Sequence, residues 1–205
     1  MSVCPKIPLA SLTLVALVLL AGCATAPNFP EAGFVSLFNG NDLTGWQYDA
    51  GGPGIAGHFD GLTASSDARF TVADGILTVH KRDKTDPKQP IRRLYTSQPV
   101  TGDFILRLEF RAGVQADSGI FVGTRQLQCR DYSTVGPYLT LKQYKPQDWN
   151  QIEMIVHGTA ARCTCNGELL EAAMPVPAGS RNLGLEADAG TMEYRNIELK
   201  LLPPS

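Results

Sequence analysis

Apolar and polar residues alternate with a period of two along much of the chain beyond residue 33, which is typical of β-strands. The clearest case is the segment 104–111, in which apolar residues alternate mainly with charged ones. Its apolar positions are Phe104, Leu106, Leu108 and Phe110, and its charged positions are Arg107, Glu109 and Arg111. This pattern predicts a half-buried antiparallel strand. No segment shows a convincing helical stripe.

Turn dipeptides separate several of the predicted strands. Asp74-Gly75 divides the segment 70–79 into two short apolar runs, and such a dipeptide favours a tight hairpin because both residues tolerate positive φ. A second hairpin is predicted for 150–157 and 160–165, followed by a turn at Asn166-Gly167.

A final pair of strands is predicted at 181–188 and 191–202, joined by Ala189-Gly190. Many short strands at this turn spacing indicate an all-β sandwich or jelly roll of two antiparallel sheets.

The N-terminal segment predicts export. Lys6 precedes an apolar run from Leu9 to Leu20, which is typical of a signal peptide. The run has about 12 residues, whereas a transmembrane helix needs about 20. The residues before Cys23 (Leu-Ala-Gly) resemble a bacterial lipobox, which implies cleavage there and a lipid anchor on that cysteine. An ordinary signal peptide with an incidental cysteine is the alternative.

Three segments follow from this interpretation: a signal peptide at 1–22, a lipidated flexible tether at 23–33, and one folded domain at 34–203. Ala24, rather than an aspartate, follows the cysteine, which resembles the sorting rule for lipoproteins of the outer membrane. We therefore expect an envelope lipoprotein in the outer membrane, facing the periplasm. The formal net charge of −2 provides no basic stripe for nucleic acid.

Cysteine usage permits few cross-links. Of the five cysteines, Cys4 leaves with the signal peptide and Cys23 carries lipid, so three remain in the domain: Cys129, Cys163 and Cys165. At most one disulfide can form among them, and Cys129 has either of the other two as its possible partner. A zinc site would need further ligands at suitable spacing. We predict no cofactor and leave a divalent metal as an open alternative.

The segment 34–46, Phe-Val-Ser-Leu-Phe-Asn-Gly-Asn-Asp-Leu-Thr-Gly-Trp, resembles the opening of the 3-keto-disaccharide hydrolase domain. The Arg-Asn-Ile motif at 195–197 supports the resemblance, which extends from Phe34 to Leu202. Other agreeing segments, in order, are 74–77, 102–111, 117–121, 148–150 and 166–167. The resemblance implies a concanavalin A-like jelly roll and extracytoplasmic cleavage of glycosides that are oxidised at carbon 3.

Such a substrate defines the groups that the protein must supply. The ketone at C3 acidifies the proton on C2, so that a base can remove it and the glycosidic oxygen at C1 can leave by elimination. Catalysis then needs a base near C2, a donor or cation near the C3 oxygen, and an acid near the leaving oxygen.

The family resemblance locates candidate catalytic residues. The family usually has Glu-x-Gln-x-x-Asp where this chain has Gln126, Gln128 and Asp131. Because a glutamine amide cannot act as a base, Asp131, Glu186 or His157 must supply one, or the reaction has been lost. Asp131 is the leading carboxylate, with a turn aspartate as the alternative. Glu186 stands where the family often has glutamine. Either the acid and the amide have exchanged places, with glutamine at 126 and glutamate at 186, or Glu186 is a plain surface residue.

Further polar residues are candidates for substrate binding, and Gln128, which shares a strand face with Gln126, is one of them. Ser118 can hydrogen-bond a sugar hydroxyl or close a turn, and Arg107 and Glu109 either line the binding face or form a solvated ion-paired face. Trp46 and Trp149 either stack on a sugar ring or pack in the core.

Three functions compete at this point. The first is hydrolase- or lyase-type cleavage of 3-keto-glycosides, and the second is noncatalytic carbohydrate binding, which the substitution at Gln126 favours. The third is an envelope lipoprotein that uses the sandwich as a scaffold. Ordinary glycoside hydrolysis is disfavoured, because the Glu-x-Asp-x-x-Glu strand of related glycosidases is absent from the sequence.

Overall fold

A computed structural model describes residues 1, 31–48, 57–83, 85–86, 89–134 and 139–203. Residues 2–30, which include most of the predicted signal peptide, Cys23 and most of the tether, lie outside the described residues. Within the described ranges the chain forms thirteen β-strands and no helix, and therefore no helix able to cross a lipid bilayer.

The strands form two antiparallel sheets that pack face to face. The eight-stranded sheet has the order β11-β10-β9-β6-β13-β4-β3, with β1 also paired to β13, and the five-stranded sheet has the order β2-β5-β12-β7-β8. This arrangement confirms the predicted all-β jelly roll. The bounds are β1 Val35–Ser36, β2 Trp46–Tyr48, β3 Phe70–Ala73, β4 Ile76–Val79, β5 Arg92–Thr96, β6 Phe104–Ala112, β7 Asp117–Val122, β8 Arg125–Arg130, β9 Asn150–His157, β10 Ala160–Cys165, β11 Glu168–Pro175, β12 Leu183–Ala187 and β13 Met192–Leu201.

One core lies between the sheets and receives every second side chain of the central strands. β6 alternates strictly between buried and half-buried residues along Phe104–Ala112, which confirms the strand predicted there. Leu185 of β12 and Ile120 of β7 oppose it from the five-stranded sheet. The residues between these core positions consequently form the outer face of each sheet.

Both predicted hairpins are present. β3 and β4 meet at Asp74-Gly75, whose φ angles are 52° and 76°, and β9 and β10 pair as expected. The final pair requires a correction, because β12 lies in the five-stranded sheet and β13 in the eight-stranded sheet. The backbone of Ala189 instead bridges to Asp117, with N···O distances of 2.8 and 3.1 Å, and this contact turns the chain from one sheet to the other.

Gly190 is central to this crossing, and we expect Gly190→Ala to lower the free energy of unfolding by about 1–3 kcal/mol. Its φ is 68°, and an added Cβ would lie 2.5 Å from the Cα of Ala116. Gly179→Ala is the matched control, since Gly179 also has positive φ but has open space around the added methyl group. Urea unfolding measures both variants. Equal losses would show that the close approach to Ala116 contributes nothing.

The three cysteines of the domain are free thiols buried in the core. Burial raises the pKa of Cys163 and of Cys165 to about 12, and raises the pKa of Cys129 well above its ordinary value. These thiols therefore remain protonated near neutral pH and behave as apolar core residues.

Candidate functional site

The outer face of the five-stranded sheet gathers three of the polar residues that the sequence pointed to, Gln126, Gln128 and Glu186. Strands β5, β12, β7 and β8 present outward side chains that alternate with core residues such as Leu94, Leu127 and Leu185. The outward positions are Arg93 and Tyr95 on β5, Gly184 and Glu186 on β12, Gly119 and Phe121 on β7, and Gln126, Gln128 and Arg130 on β8.

Glu186 lies at the centre of this face. Its Oε2 accepts a hydrogen bond of 2.7 Å from Nε2 of Gln126, and its Oε1 accepts one of 3.2 Å from Nε of Arg93. Only 6% of Glu186 is exposed. Burial raises the pKa of its carboxyl group, although the guanidinium of Arg93 and the amide of Gln126 partly offset the rise. The acid at Glu186 and the amide at Gln126, which are exchanged relative to the usual family pattern, are thus in direct contact.

Two glycines leave room for side chains of this face to cross over neighbouring strands. Gly119 lies on β7 between the strands of Gln126 and Glu186, and a Cβ there would lie 2.1 Å from Nε2 of Gln126. A Cβ at Gly184 would lie 2.5 Å from the ring of Tyr95. The side chains of Gln126 and Tyr95 therefore lie flat across their neighbouring strands, and a larger residue at either glycine would displace them.

Arg93 is a site residue that the sequence reasoning missed. Besides its hydrogen bond to Glu186, its guanidinium lies 4.6 Å from the ring centroid of Phe121, which in turn packs edge-on against Tyr95 at 6.1 Å. The available signal was the alternation in β5, where Arg93 and Tyr95 flank the buried Leu94. That pattern places both residues on the outer face but gives no indication that Glu186 opposes Arg93.

Asp131 lies in a different environment from Gln126 and Glu186. It is fully buried and follows β8 in phase with the core residues Leu127 and Cys129. Five donors bind its carboxylate: Gln115 N at 3.0 Å, Ser133 Oγ at 2.8 Å, Thr134 Oγ1 at 2.9 Å, Gln147 Nε2 at 3.1 Å and Tyr144 Oη at 3.2 Å. This geometry matches the turn-aspartate alternative, and we place Asp131 outside the candidate site.

The pKa of Asp131 is consistent with this role. Burial alone would raise the pKa of the carboxyl group, but hydrogen bonds from Ser133, Gln115, Thr134 and Tyr144 outweigh burial, and the pKa is lowered. A carboxylate held in its ionised form by so many donors is a poor proton acceptor.

Ser118 faces the core and supports the site from behind. Its Oγ donates a hydrogen bond of 2.6 Å to the backbone oxygen of Glu186 and lies 2.8 Å from the hydroxyl of Tyr194. With 1% of the residue exposed, Ser118 has no access to a sugar on the outer face. This hydrogen bond links β7 to β12 and holds the backbone of Glu186 in place beneath the outer face.

Arg107 and Glu109 lie on the outer face of the eight-stranded sheet, on the opposite side of the sandwich from Glu186. Arg107 donates to Glu153 at 2.7 Å, and Arg195 donates to Glu109 at 2.6 Å, as expected for the ion-paired alternative. Arg107 and Glu109 line a polar cavity of about 210 Å³, and the other residues that line it are Glu31, Leu108, Gln151, Asn196 and Glu198. The structure therefore separates them from Gln126, Gln128 and Glu186.

The remaining candidates also lie away from Glu186. Trp46 is buried in the core, where its indole donates to the backbone oxygen of Leu37, and Trp149 packs against Arg195 on the eight-stranded sheet. His157 is exposed, with Nδ1 3.0 Å from a carboxylate oxygen of Asp103. Among the described residues, no group of three or more His, Cys, Asp or Glu side chains has the geometry to hold a metal ion.

Comparison with known folds agrees with the two-sheet architecture. A candidate glycosyl hydrolase from Parabacteroides distasonis ATCC 8503 superposes with a TM-score of 0.60 at 15% identity, over 83% of this chain and 94% of that chain. The carbohydrate recognition domain of Emp47p superposes with a TM-score of 0.50 at 13% identity, over 84% and 99% of the two chains. At these identities the likeness concerns the fold alone. No curated protein sequence matches the chain significantly.

The sequence itself matches a family model over most of its length. The match to the 3-keto-alpha-glucoside-1,2-lyase-like domain spans residues 33–200, which include every strand that contributes to the outer face around Glu186. This chain therefore belongs to the 3-keto-alpha-glucoside-1,2-lyase-like domain family, and membership implies a carbohydrate-acting function of the glycoside hydrolase or lyase type.

Proposed function

We propose that the domain cleaves 3-keto-glycosides by proton removal at C2 and elimination at C1, with Glu186 as the base. The observation that carries the proposal is a buried carboxylate of raised pKa on the outer face of the five-stranded sheet, between an amide and a guanidinium. A raised pKa brings a carboxylate closer to the pH at which it must accept a proton, which makes it a stronger base than an ordinary glutamate.

Glu186 retains the capacity to accept this proton. Each carboxylate oxygen has two lone-pair positions, and the hydrogen bonds from Gln126 and Arg93 occupy one on each oxygen. When the C2–H bond breaks, the proton moves to Glu186 and the electron pair forms the enolate of the C3 ketone. The enolate then expels the glycosidic oxygen from C1 with its bonding electron pair, leaving a C1=C2 double bond conjugated to the ketone, and the departing alkoxide takes a proton from water. The hydroxide that remains adds at C1, and Glu186 returns its proton to C2, which yields the 3-keto sugar.

Arg93 and Gln126 supply the donors for the charge that develops. Arg93 uses its Nε for Glu186, so that other guanidinium N–H groups can face the C3 oxygen as it becomes an enolate. Gln126 carries a second amide N–H beyond the one bound to Glu186. Preorganised donors of this kind stabilise the transition state more than the ketone, because the negative charge exists only as the reaction proceeds.

A chromogenic substrate tests the proposal directly. We expect the purified protein to release 4-nitrophenol from 4-nitrophenyl 3-keto-α-glucoside but not from unoxidised 4-nitrophenyl α-glucoside, which lacks the acidic C2 proton. The second candidate function is noncatalytic carbohydrate binding, which is favoured by an amide at Gln126 where the family usually has the acid. Sugar binding without release of nitrophenol from the ketone, with or without divalent metal, would support that alternative and contradict the enzyme.

The pH dependence of this reaction offers a test of Arg93. The base is active when ionised, so the rate should rise with pH through the pKa of Glu186. Because the guanidinium of Arg93 lowers that pKa, Arg93→Met should move the rising limb of the kcat profile to higher pH. The plateau should fall by about 10²-fold through loss of a donor. Arg162→Met, on the exposed surface of β10, is the matched control. An unchanged limb would contradict the assignment of Glu186 as the base.

We also propose that the protein is an exported lipoprotein, anchored through Cys23 in the outer membrane and facing the periplasm. The lipobox-like residues before Cys23 and the alanine after it support this location. Cys23→Ser should abolish incorporation of labelled palmitate and release the protein from the membrane fraction. Palmitate labelling that persists in this variant would contradict the anchor.

A further inference from the structure

The residues that follow the predicted tether are fixed to the outer face of the eight-stranded sheet. Glu31 accepts a hydrogen bond of 2.6 Å from Nη1 of Arg107, and Nζ of Lys200 donates one of 3.3 Å to the backbone oxygen of Ala32. The ring of Phe34 lies 4.5 Å from the guanidinium carbon of Arg107 and 5.5 Å from Nζ of Lys200. Only 6% of Phe34 is exposed. The segment 31–34 is therefore docked on this face, and the tether leaves the domain from here.

The docking point lies near the middle of the face. Arg107 is on β6, and three strand spacings separate β6 from either edge strand of the main sheet, β11 or β3. At about 4.8 Å per spacing, each edge is about 14 Å away. The nearer end of β6, at Phe104, is about 10 Å away. A chain that passes from Glu31 to the opposite face must cover one of these distances and then the thickness of the sandwich.

The chain between Cys23 and Glu31 is too short for that path. The two residues are eight positions apart, and a fully extended chain spans at most about 3.6 Å per residue, which gives about 29 Å. Stacked sheets lie about 10 Å apart, and outward side chains bring the thickness of the sandwich to roughly 20 Å. The path to the plane of the five-stranded face is thus about 34 Å around an edge and about 30 Å around the end of β6. Both paths exceed the reach of the chain.

We propose that the docked segment 31–34 orients the lipidated protein, with the outer face of the eight-stranded sheet toward the bilayer and the face around Glu186 toward the periplasm. The proposal rests on the lipid anchor proposed above and identifies the bilayer as the partner of the eight-stranded face. Because Glu186 and Arg93 lie on the opposite face, the membrane covers neither of them. Their substrate reaches them from the periplasm.

Charge on the eight-stranded face does not oppose this orientation. Three arginines near its centre are each paired with a glutamate: Arg107 with Glu153, Arg111 with Glu193, and Arg195 with Glu109. Attraction to anionic lipid requires a cluster of unpaired basic residues, and these pairs do not form one. The reach of the tether therefore decides which face meets the bilayer, and we expect the same orientation on zwitterionic and on anionic vesicles.

Quenching by lipids that carry a nitroxide on the headgroup measures the orientation. One fluorescent label is attached to Arg162→Cys, on the eight-stranded sheet, or to Ile91→Cys, two positions before Arg93, in the full lipidated protein on phosphatidylcholine vesicles. Both positions are exposed, and the buried thiols of the domain do not compete for the label. We expect several-fold stronger quenching at position 162 than at position 91. Equal quenching, or stronger quenching at position 91, would overturn the proposal.

A longer tether separates reach from any affinity of the face for lipid. Insertion of about 20 Gly and Ser residues before Glu31 provides enough chain to pass around the sandwich, so quenching at the two positions should become nearly equal. The same insert placed after Ser205 is the matched control and should preserve the difference. A difference that survives the insert before Glu31 would show that the face itself binds lipid, and would overturn the tether as the cause.

The outcomes also separate the orientation from the anchor on which it rests. Palmitate on Cys23 together with equal quenching would retain the anchor and reject the orientation. Absence of lipid from Cys23 would reject both. Neither result depends on cleavage of the chromogenic ketone, so the proposed reaction is tested independently.

Discussion

Glu186→Gln should lower kcat for a 3-keto-glycoside by about 10²- to 10⁴-fold, the usual contribution of a positioned base. The substitution preserves the shape of the side chain, and its oxygen can still accept from Arg93 while the Gln126 amide rotates to accept from the new NH2 group. An amide, however, cannot take the proton from C2. Substrate affinity should change little, because the ground state of the ketone carries no charge for the carboxylate to bind. A fall in kcat at nearly constant KM therefore distinguishes a base from a residue that only positions the sugar.

The contact between Gln126 and Glu186 permits a stronger test. The double variant Gln126→Glu/Glu186→Gln moves the acid to β8 and the amide to β12 while keeping one of each across the same 2.7 Å contact. We expect the double variant to recover part of the activity that Glu186→Gln loses, since a carboxylate is again present at the site. Gln126→Glu alone places two carboxylates in contact, which should raise the pKa of one of them and move the rate profile to higher pH.

The interpretation depends on how the single and double variants compare. Recovery in the double variant shows that the acid and the amide have exchanged strands without loss of chemistry. If Glu186→Gln retains full activity, Glu186 is not the base, and the buried carboxylate has another role. If all three variants fold and bind sugar while the native protein cleaves nothing, noncatalytic binding is the better description of this domain.

Local pattern was sufficient for the strands but not for the way in which they assemble. The alternation in 104–111 and the turn at Asp74-Gly75 are short-range features, and both strand predictions are confirmed. Ala189-Gly190 has the same appearance as a hairpin turn, yet it connects two sheets. Whether such a turn pairs its flanking strands depends on the partners available elsewhere, and β13 pairs with β6 and β4, which are distant in sequence.

The candidate site shows the same limit. Gln126 and Gln128 share a face by strand period alone, but their meeting with Glu186 depends on the order β12-β7-β8, which joins residues 60 positions apart. Strand period separates Arg93 from Arg92, which is in phase with Leu94 and pairs with Asp67, but it does not predict that Glu186 opposes Arg93. For Asp131 the period was informative, because an odd separation from Gln126 places the two residues on opposite faces of an extended strand. The motif resemblance favours Asp131 as the catalytic carboxylate, whereas the strand period predicts its buried position, which the structure shows.

Asp131→Asn should lower the free energy of unfolding by about 2–4 kcal/mol while leaving turnover per folded molecule nearly unchanged. Three donors converge on one carboxylate oxygen, those of Gln115, Thr134 and Gln147, and two more bind the other. An asparagine amide places N–H groups against some of these donors in a site that is closed to solvent. Urea unfolding and the chromogenic assay, corrected for the folded fraction, measure the two effects separately.

The carboxylate of Asp131 should also make the free energy of unfolding depend on pH. Because the pKa of Asp131 is lower in the folded state than in the unfolded chain, its contribution is complete above the unfolded pKa of about 3.9 and is lost as the pH falls through the folded pKa. The native protein and Asp131→Asn should therefore differ most near neutral pH and converge under acid. Asp83→Asn, at an exposed carboxylate, is the control and should change stability little. A purely structural carboxylate affects turnover only through the fraction of protein that is folded. A large loss of turnover in fully folded Asp131→Asn would therefore contradict the structural role and assign Asp131 a part in catalysis.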